Sequence, residues 1–103
     1  MHKSHIVYIE ANESYTWLHL QDGSKMLSSK PIGYHEQNME NTRFIRIHRS
    51  YLINFSCIKL YELKYRLVHL KGDITLPVSF RKNRLLSKMI RNQELKMPLQ
   101  IAV

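Results

Sequence analysis

Cysteine is almost missing from this 103-residue chain: Cys57 stands alone. No disulfide can form within the chain, and a lone cysteine among apolar neighbours reads as a small buried hydrophobe. The count fits a reducing compartment, and we expect a cytoplasmic protein. Glycine is as scarce, with Gly23, Gly33 and Gly72 all isolated, so there is no glycine-rich loop to cradle a phosphate. No stretch reaches the roughly 18 apolar residues of a membrane span, and the opening Met-His-Lys-Ser-His lacks the apolar core of a secretory signal. His2 and His5 lie three apart but have no third metal ligand nearby. Nothing raises a Cys57–His48 nucleophile pair above chance. Aspartate occurs only at 22 and 73, each beside a turn glycine, which leaves no cluster of acids to accept a phosphoryl group. We expect no catalytic residue, no metal and no cofactor.

Acid is missing most conspicuously from the second half. Residues 1–42 hold three lysines against five acids, whereas residues 43–91 hold twelve lysines and arginines against two acids. The whole formal charge of +8 therefore lies in one half, as expected of a chain that meets a polyanion. The centre of that half is Phe44-Ile-Arg-Ile-His-Arg-Ser-Tyr-Leu-Ile-Asn54. Its apolar members fix the backbone when buried, and Arg46, His48 and Arg49 must then sit at the rim of the buried surface. A disordered basic tail would not carry so many large apolar residues.

One domain with one core suits this length. Ile6 to Glu10 reads as a buried strand, and Tyr15 to Leu20 alternates as a strand beyond the polar turn Asn12-Glu13-Ser14. Asp22-Gly23 marks a hairpin returning through Lys25 to Ser29. Pro31 to Glu40 is a helix whose Ile32 and Met39 face the core. Phe44 to His48 is a strand; Arg49 to Asn54 leaves it, and Asn54 stops the segment. Cys57 to Leu63 and Tyr65 to Leu70 are strands joined near Lys64. Lys71-Gly72-Asp73 turns the chain into Ile74 to Val78, and Pro77 puts that strand at an edge or its end. Ser79 caps a helix to Arg91. Its apolar stripe is Leu85, Leu86, Met89 and Ile90, opposite Arg81, Arg84, Lys88 and Arg91. Short strands, tight turns and two helices predict a mainly antiparallel β domain. Trp17 and Phe44 are assigned to its core.

The 44–54 segment resembles the signature of the LytTR family, the DNA-binding output domains of many bacterial response regulators. Ile6-Val-Tyr-Ile-Glu-Ala11, the Leu20–Ser24 turn and Leu76-Pro-Val-Ser-Phe-Arg81 resemble further family segments in the same order. The match spans about residues 6–91, with 92–103 as a tail. The resemblance implies an elongated antiparallel β-sandwich of short strands with one or two short helices. It also implies a strand ahead of Ile6, and the apolar tail Leu99–Val103 is the candidate to fill that place as a strand.

The resemblance further implies sequence-specific binding of double-stranded DNA in transcriptional regulation, as the output domain of a two-component response regulator. The receiver or sensor module would be separate from these residues. DNA would be held through its major groove, on paired direct repeats and with a homodimer forming on the DNA. No membrane is involved. Base reading is carried over to the Asn12, Ser14 and Tyr15 loop, to Arg49 and to Arg81. Phosphate contacts are carried over to Ser50, Lys82, Asn83 and Arg84. We expect these segments to share one surface. Arg46 is open between a phosphate contact and an internal ion pair, His48 is expected to orient its neighbours, and Lys88 and Arg91 form a solvated face. The alternative is a basic β module for RNA or a protein partner, with Tyr15, Trp17, Tyr61 and Tyr65 exposed for stacking. A membrane-surface role would need the leucine stripe of the last helix to be unburied.

Overall fold

The computed structural model describes residues 5–39 and 42–92, together with the backbone of Ile101 and Ala102. In chain order these form β1 (Ile6–Asn12), β2 (Tyr15–Leu20), β3 (Lys25–Ser28), α1 (Ile32–Asn38), β4 (Phe44–His48), β5 (Tyr51–Asn54), β6 (Ile58–Glu62), β7 (Leu67–Leu70), β8 (Ile74–Pro77), α2 (Phe80–Arg91) and β9 (Ile101–Ala102). One sheet runs β3-β2-β1-β5-β4 and the other β8-β7-β6-β9. All pairings are antiparallel except β9 on β6, where Ile101 faces Tyr61 and Ala102 faces Glu62 in a parallel ladder. Leu99, Gln100 and Val103 of the expected tail strand lie outside the described residues. The domain measures 37 × 26 × 25 Å, longer in one direction, as a sandwich of short strands implies.

The turns follow from their residues. The Asp22 carboxylate accepts the Ser24 N–H at 2.9 Å and its hydroxyl at 2.6 Å, which holds the Asp22 carboxyl below its usual range, and Gly23 takes the left-handed backbone that the reversal needs (φ 90). Gly72 and Asp73 are both left-handed, and with Lys71 they make the three-residue connection between the paired Leu70 and Ile74.

The five-stranded sheet is covered on both faces, which is why β1 and β5 are so uniformly apolar. On one face Val7, Tyr8, Ile47 and Ile53 pack with Tyr61, Val68, Leu70 and Leu76 of the second sheet and with Leu86 and Ile90 of α2. On the other face Ile6, Ile9 and Leu52 pack with Ile32 and Met39, so α1 buries the two residues its pattern nominates. The β1–β2 register slips between Ile6 and Tyr8. The slip breaks strict alternation, and Val7 and Tyr8 both join the core between the sheets. Cys57 is buried in that core, where desolvation pushes its thiol up. Phe44 is half-buried against the α1 cluster.

Three expectations are corrected. Tyr51–Asn54 does not leave the sheet: a two-residue turn sends it back as β5, between β1 and β4. Its centre, Leu52-Ile53, is buried on both faces, and a strand of that kind shows no alternation to read. Trp17 belongs to neither core cluster. It is half-buried on an open part of the sheet, with the Lys25 ammonium 4.3 Å from its ring centre. Leu85 is exposed, and the inward face of α2 is Leu86, Ser87 and Ile90. Ser87 enters without an unmet polar group because its hydroxyl donates to the Asn83 carbonyl at 2.8 Å.

Candidate nucleic-acid interface

Two backbone hydrogen bonds gather one end of the domain. The turn Arg49-Ser50 joins β4 to β5. Ser50 C=O accepts the Ala11 N–H at 2.8 Å, which fastens the outer end of β1 to that turn. Ile47 C=O accepts the Ser79 N–H at 2.8 Å, which fastens the start of α2 to the end of β4. Ser79 also caps α2, its hydroxyl accepting the Lys82 N–H at 3.2 Å. The result is a cleft of about 320 Å³ lined by Glu36, Arg46, His48, Arg49, Ser79, Arg81 and Lys82. Arg49 and Arg81, far apart in sequence, thus face a common space.

Arg46 is turned inward, so the internal ion pair is the alternative that the structure holds. Its Nε donates to the His48 carbonyl at 2.8 Å, one terminal nitrogen to the Arg49 carbonyl at 2.6 Å and the other to Glu36 Oε1 at 2.6 Å. His48 also orients its neighbours: Nδ1 accepts the Ser50 N–H at 3.0 Å, leaving the proton of the neutral ring on Nε2. Its ring lies 5.4 Å from that of Tyr51. Arg49 therefore leaves a turn braced from both sides, with its own side chain exposed.

Asn12, Ser14 and Tyr15 are exposed on the β1–β2 hairpin, which Asn12 and Tyr15 close as a cross-strand pair. Glu13 is left-handed there (φ 58), a conformation uncommon for a side chain of its kind. Pairing places Trp17, Glu10, Tyr51 and His48 side by side across the sheet behind these loops. In the next row His19 stacks on Tyr8, with centroids 4.1 Å apart, and reaches Glu10 Oε1 at 2.9 Å. Burial, and then Glu10 and Tyr51, push the Tyr8 phenol up to about 12.

Not all expected contacts converge. Lys82 is half-buried in the cleft wall, whereas Arg84 lines a different groove of about 500 Å³ with Asn83, Lys88 and Arg91. Asn83 is half-buried, and its Oδ1 accepts the hydroxyl of buried Tyr61. The same tyrosine answers the stacking alternative: Tyr61 is fully buried, and exposed Tyr65 sits in the β6–β7 turn, away from Tyr15 and Trp17 on the other sheet. The four aromatics form no single platform. Leu86 and Ile90 of α2 are buried, which leaves no intact apolar stripe for a membrane surface, and no helix among the described residues is long and apolar enough to cross one. Sequence reasoning missed Glu36 and Ser79 as lining residues. Ser79 announced itself only as a helix cap, and Glu36 gives no local signal because its partner lies ten residues on.

The model of the LytTR family, described as the LytTr DNA-binding domain, matches residues 1–91. The chain belongs to that family of DNA-binding domains. Among solved structures it is similar to the LytTr DNA-binding domain of a methyl-accepting/DNA response regulator from Bacillus cereus. That likeness has a TM-score of 0.74, 22% identity and coverage of 84% of this chain and 82% of the other, so it speaks for the fold. No curated protein matches the chain.

Proposed function

We propose that this domain binds double-stranded DNA sequence-specifically to regulate transcription, as the cytoplasmic output domain of a two-component response regulator. The observation that carries the reading is the cleft in which Arg49, from a braced turn, meets Arg81 and Lys82, from a capped helix start. Arg49 and Arg81 read base edges in the major groove, where the planar guanidinium matches guanine O6 and N7. Ser50, Lys82 and Arg84 hold phosphates, and the Asn12–Tyr15 hairpin extends the contact along the groove. Arg46, His48 and Asn83 support these groups from behind. A receiver or sensor module controls the domain, and two copies occupy paired direct repeats, pairing on the DNA.

Selection from a random duplex pool, with a random RNA pool in parallel, tests the reading. A shared duplex motif, recovered as two copies in the same orientation, is expected. Enrichment of RNA, or of duplexes without a motif, overturns it.

A further inference from the structure

We propose that Glu36 is a specificity-determining residue, which acts by holding Arg46 on the turn that aims Arg49 and away from the DNA backbone. The inference rests on reading this end of the domain as the DNA-reading face. Glu36 makes no appearance in the signature segment; it comes from α1, on the opposite side of the sheet from α2. Ile32 and Met39, both buried, pin α1 to the sheet at either side of Glu36. The carboxylate is thereby delivered to the cleft wall at 2.6 Å from the Arg46 guanidinium.

Two consequences follow from that contact. The cleft is lined by four cationic side chains, Arg46, Arg49, Arg81 and Lys82, and by one carboxylate. Arg46 is spent: its side chain is only 19% exposed, and three acceptors share its donors. Three of its five N–H donors are engaged and the carboxylate offsets its charge, so a phosphate gains less from it than from a free guanidinium. The sequence-independent part of the affinity, which scales with phosphates neutralised, is therefore smaller than the composition suggests. The base-reading part is untouched, because the same guanidinium fixes the carbonyls of His48 and Arg49 and so the direction in which Arg49 leaves the turn. Discrimination is a difference of affinities, and a phosphate contact adds to both terms alike; Glu36 preserves the difference by keeping Arg46 on the carbonyls that aim Arg49. Arg46 is a positioning residue in this scheme, and Glu36 supplies the charge that keeps it one.

The test uses a duplex enriched by selection with the unmodified protein, and a scrambled duplex of equal length, titrated at several salt concentrations. Glu36→Gln keeps the acceptor and removes the charge. It should tighten scrambled DNA several-fold at about 100 mM salt and steepen the log K against log salt slope by up to about 0.9. The enriched duplex should gain less than that, because an Arg46 released to a phosphate no longer aims Arg49, so the preference narrows; an equal gain on both duplexes refutes the specificity role. Arg46→Lys keeps the charge but cannot span the three acceptors. It should weaken the enriched duplex by roughly tenfold and leave scrambled DNA unchanged. If Glu36→Gln leaves scrambled binding and the slope unchanged, the masking of Arg46 is refuted. If either variant weakens both duplexes in proportion and lowers the melting temperature, the brace is only structural. A failed selection with unmodified protein would instead sink the DNA-reading assignment itself.

Discussion

Arg81→Ala should narrow the preference of the protein for its selected duplex, whereas Lys82→Ala should weaken all duplexes alike. Arg81 is exposed at the first turn of α2 and lines the cleft opposite Arg49. Its truncation leaves the cap intact, because Ser79 accepts from the backbone N–H of Lys82, not from a side chain. Losing a bidentate base contact costs about 1–3 kcal/mol, which is roughly a five- to 150-fold loss on the preferred duplex and little on a scrambled one. A phosphate contact behaves otherwise: each contributes about 0.9 to the slope of log K against log salt. With Arg46 spent on Glu36, the candidate contacts are Arg49, Arg81, Lys82 and Arg84. A slope between about −2 and −4 is then expected, the smaller figure if only Lys82 and Arg84 touch phosphates. Removing one such contact reduces the affinity lost between 50 and 200 mM salt by about 3.5-fold. Fluorescence anisotropy with both duplexes at four salt concentrations separates the two behaviours, after thermal melting confirms that each variant folds. Should Arg81→Ala weaken both duplexes equally and shift the slope as Lys82→Ala does, Arg81 is a phosphate contact. Base reading would then fall to Arg49 or the Asn12–Tyr15 hairpin.

Other outcomes can be checked without DNA. Asn54 is buried, donates to the Ile6 carbonyl at 3.0 Å and accepts the Ser56 N–H at 2.9 Å. Asn54→Ala strands both partners and should cost about 2–4 kcal/mol in urea unfolding; a loss below about 1 kcal/mol would show that water or a rearrangement satisfies them. Glu13→Gly should leave stability unchanged or raise it by up to about 1 kcal/mol, since relief of the left-handed backbone opposes the greater freedom of unfolded glycine. A clear destabilisation would mean that the Glu13 side chain holds the hairpin. His35 shares a hydrogen bond of 2.9 Å with the Ser28 hydroxyl, and burial lowers its pKa from 6.5. Its unfolded form takes up a proton first, so stability present above about pH 6.5 is lost as the pH falls from there through the lowered folded value. Melting curves for the wild type and His35→Gln between pH 7.5 and 5 should diverge in that window, the variant losing less. Parallel curves would refute a role for His35.

Local chemistry explains what could be read in advance. Asp22-Gly23 and Lys71-Gly72-Asp73 specify their turns because few residues tolerate the backbone they need. Alternation over Tyr15–Leu20 specifies a strand, and Ser79 with the apolar residues behind it specifies α2. Strand β5 escaped because Leu52 and Ile53 are apolar on both faces, and apolar pattern alone does not separate a doubly buried strand from a segment that leaves the sheet. Trp17 was misplaced because size alone suggested the core, while Lys25, eight residues on, covers its ring. Leu85 was misplaced by one helical step, since its neighbours Leu86 and Ser87 set the inward face.

The sequence by itself determined that a basic second half would be presented on a β scaffold, since charge and periodicity are properties of each segment alone. It also placed Arg49 just past the end of a strand and Arg81 in the first turn of a helix, where side chains are free to meet a partner. Only the tertiary structure decided that the two meet across one cleft. That depends on the Ser79–Ile47 and Ala11–Ser50 hydrogen bonds, which join residues more than thirty positions apart. It also decided that Arg46 is not one of the binding cations. A guanidinium is charged wherever it lies, but whether that charge faces a phosphate or Glu36 depends on how α1 packs on the sheet, and no stretch of the sequence contains that information.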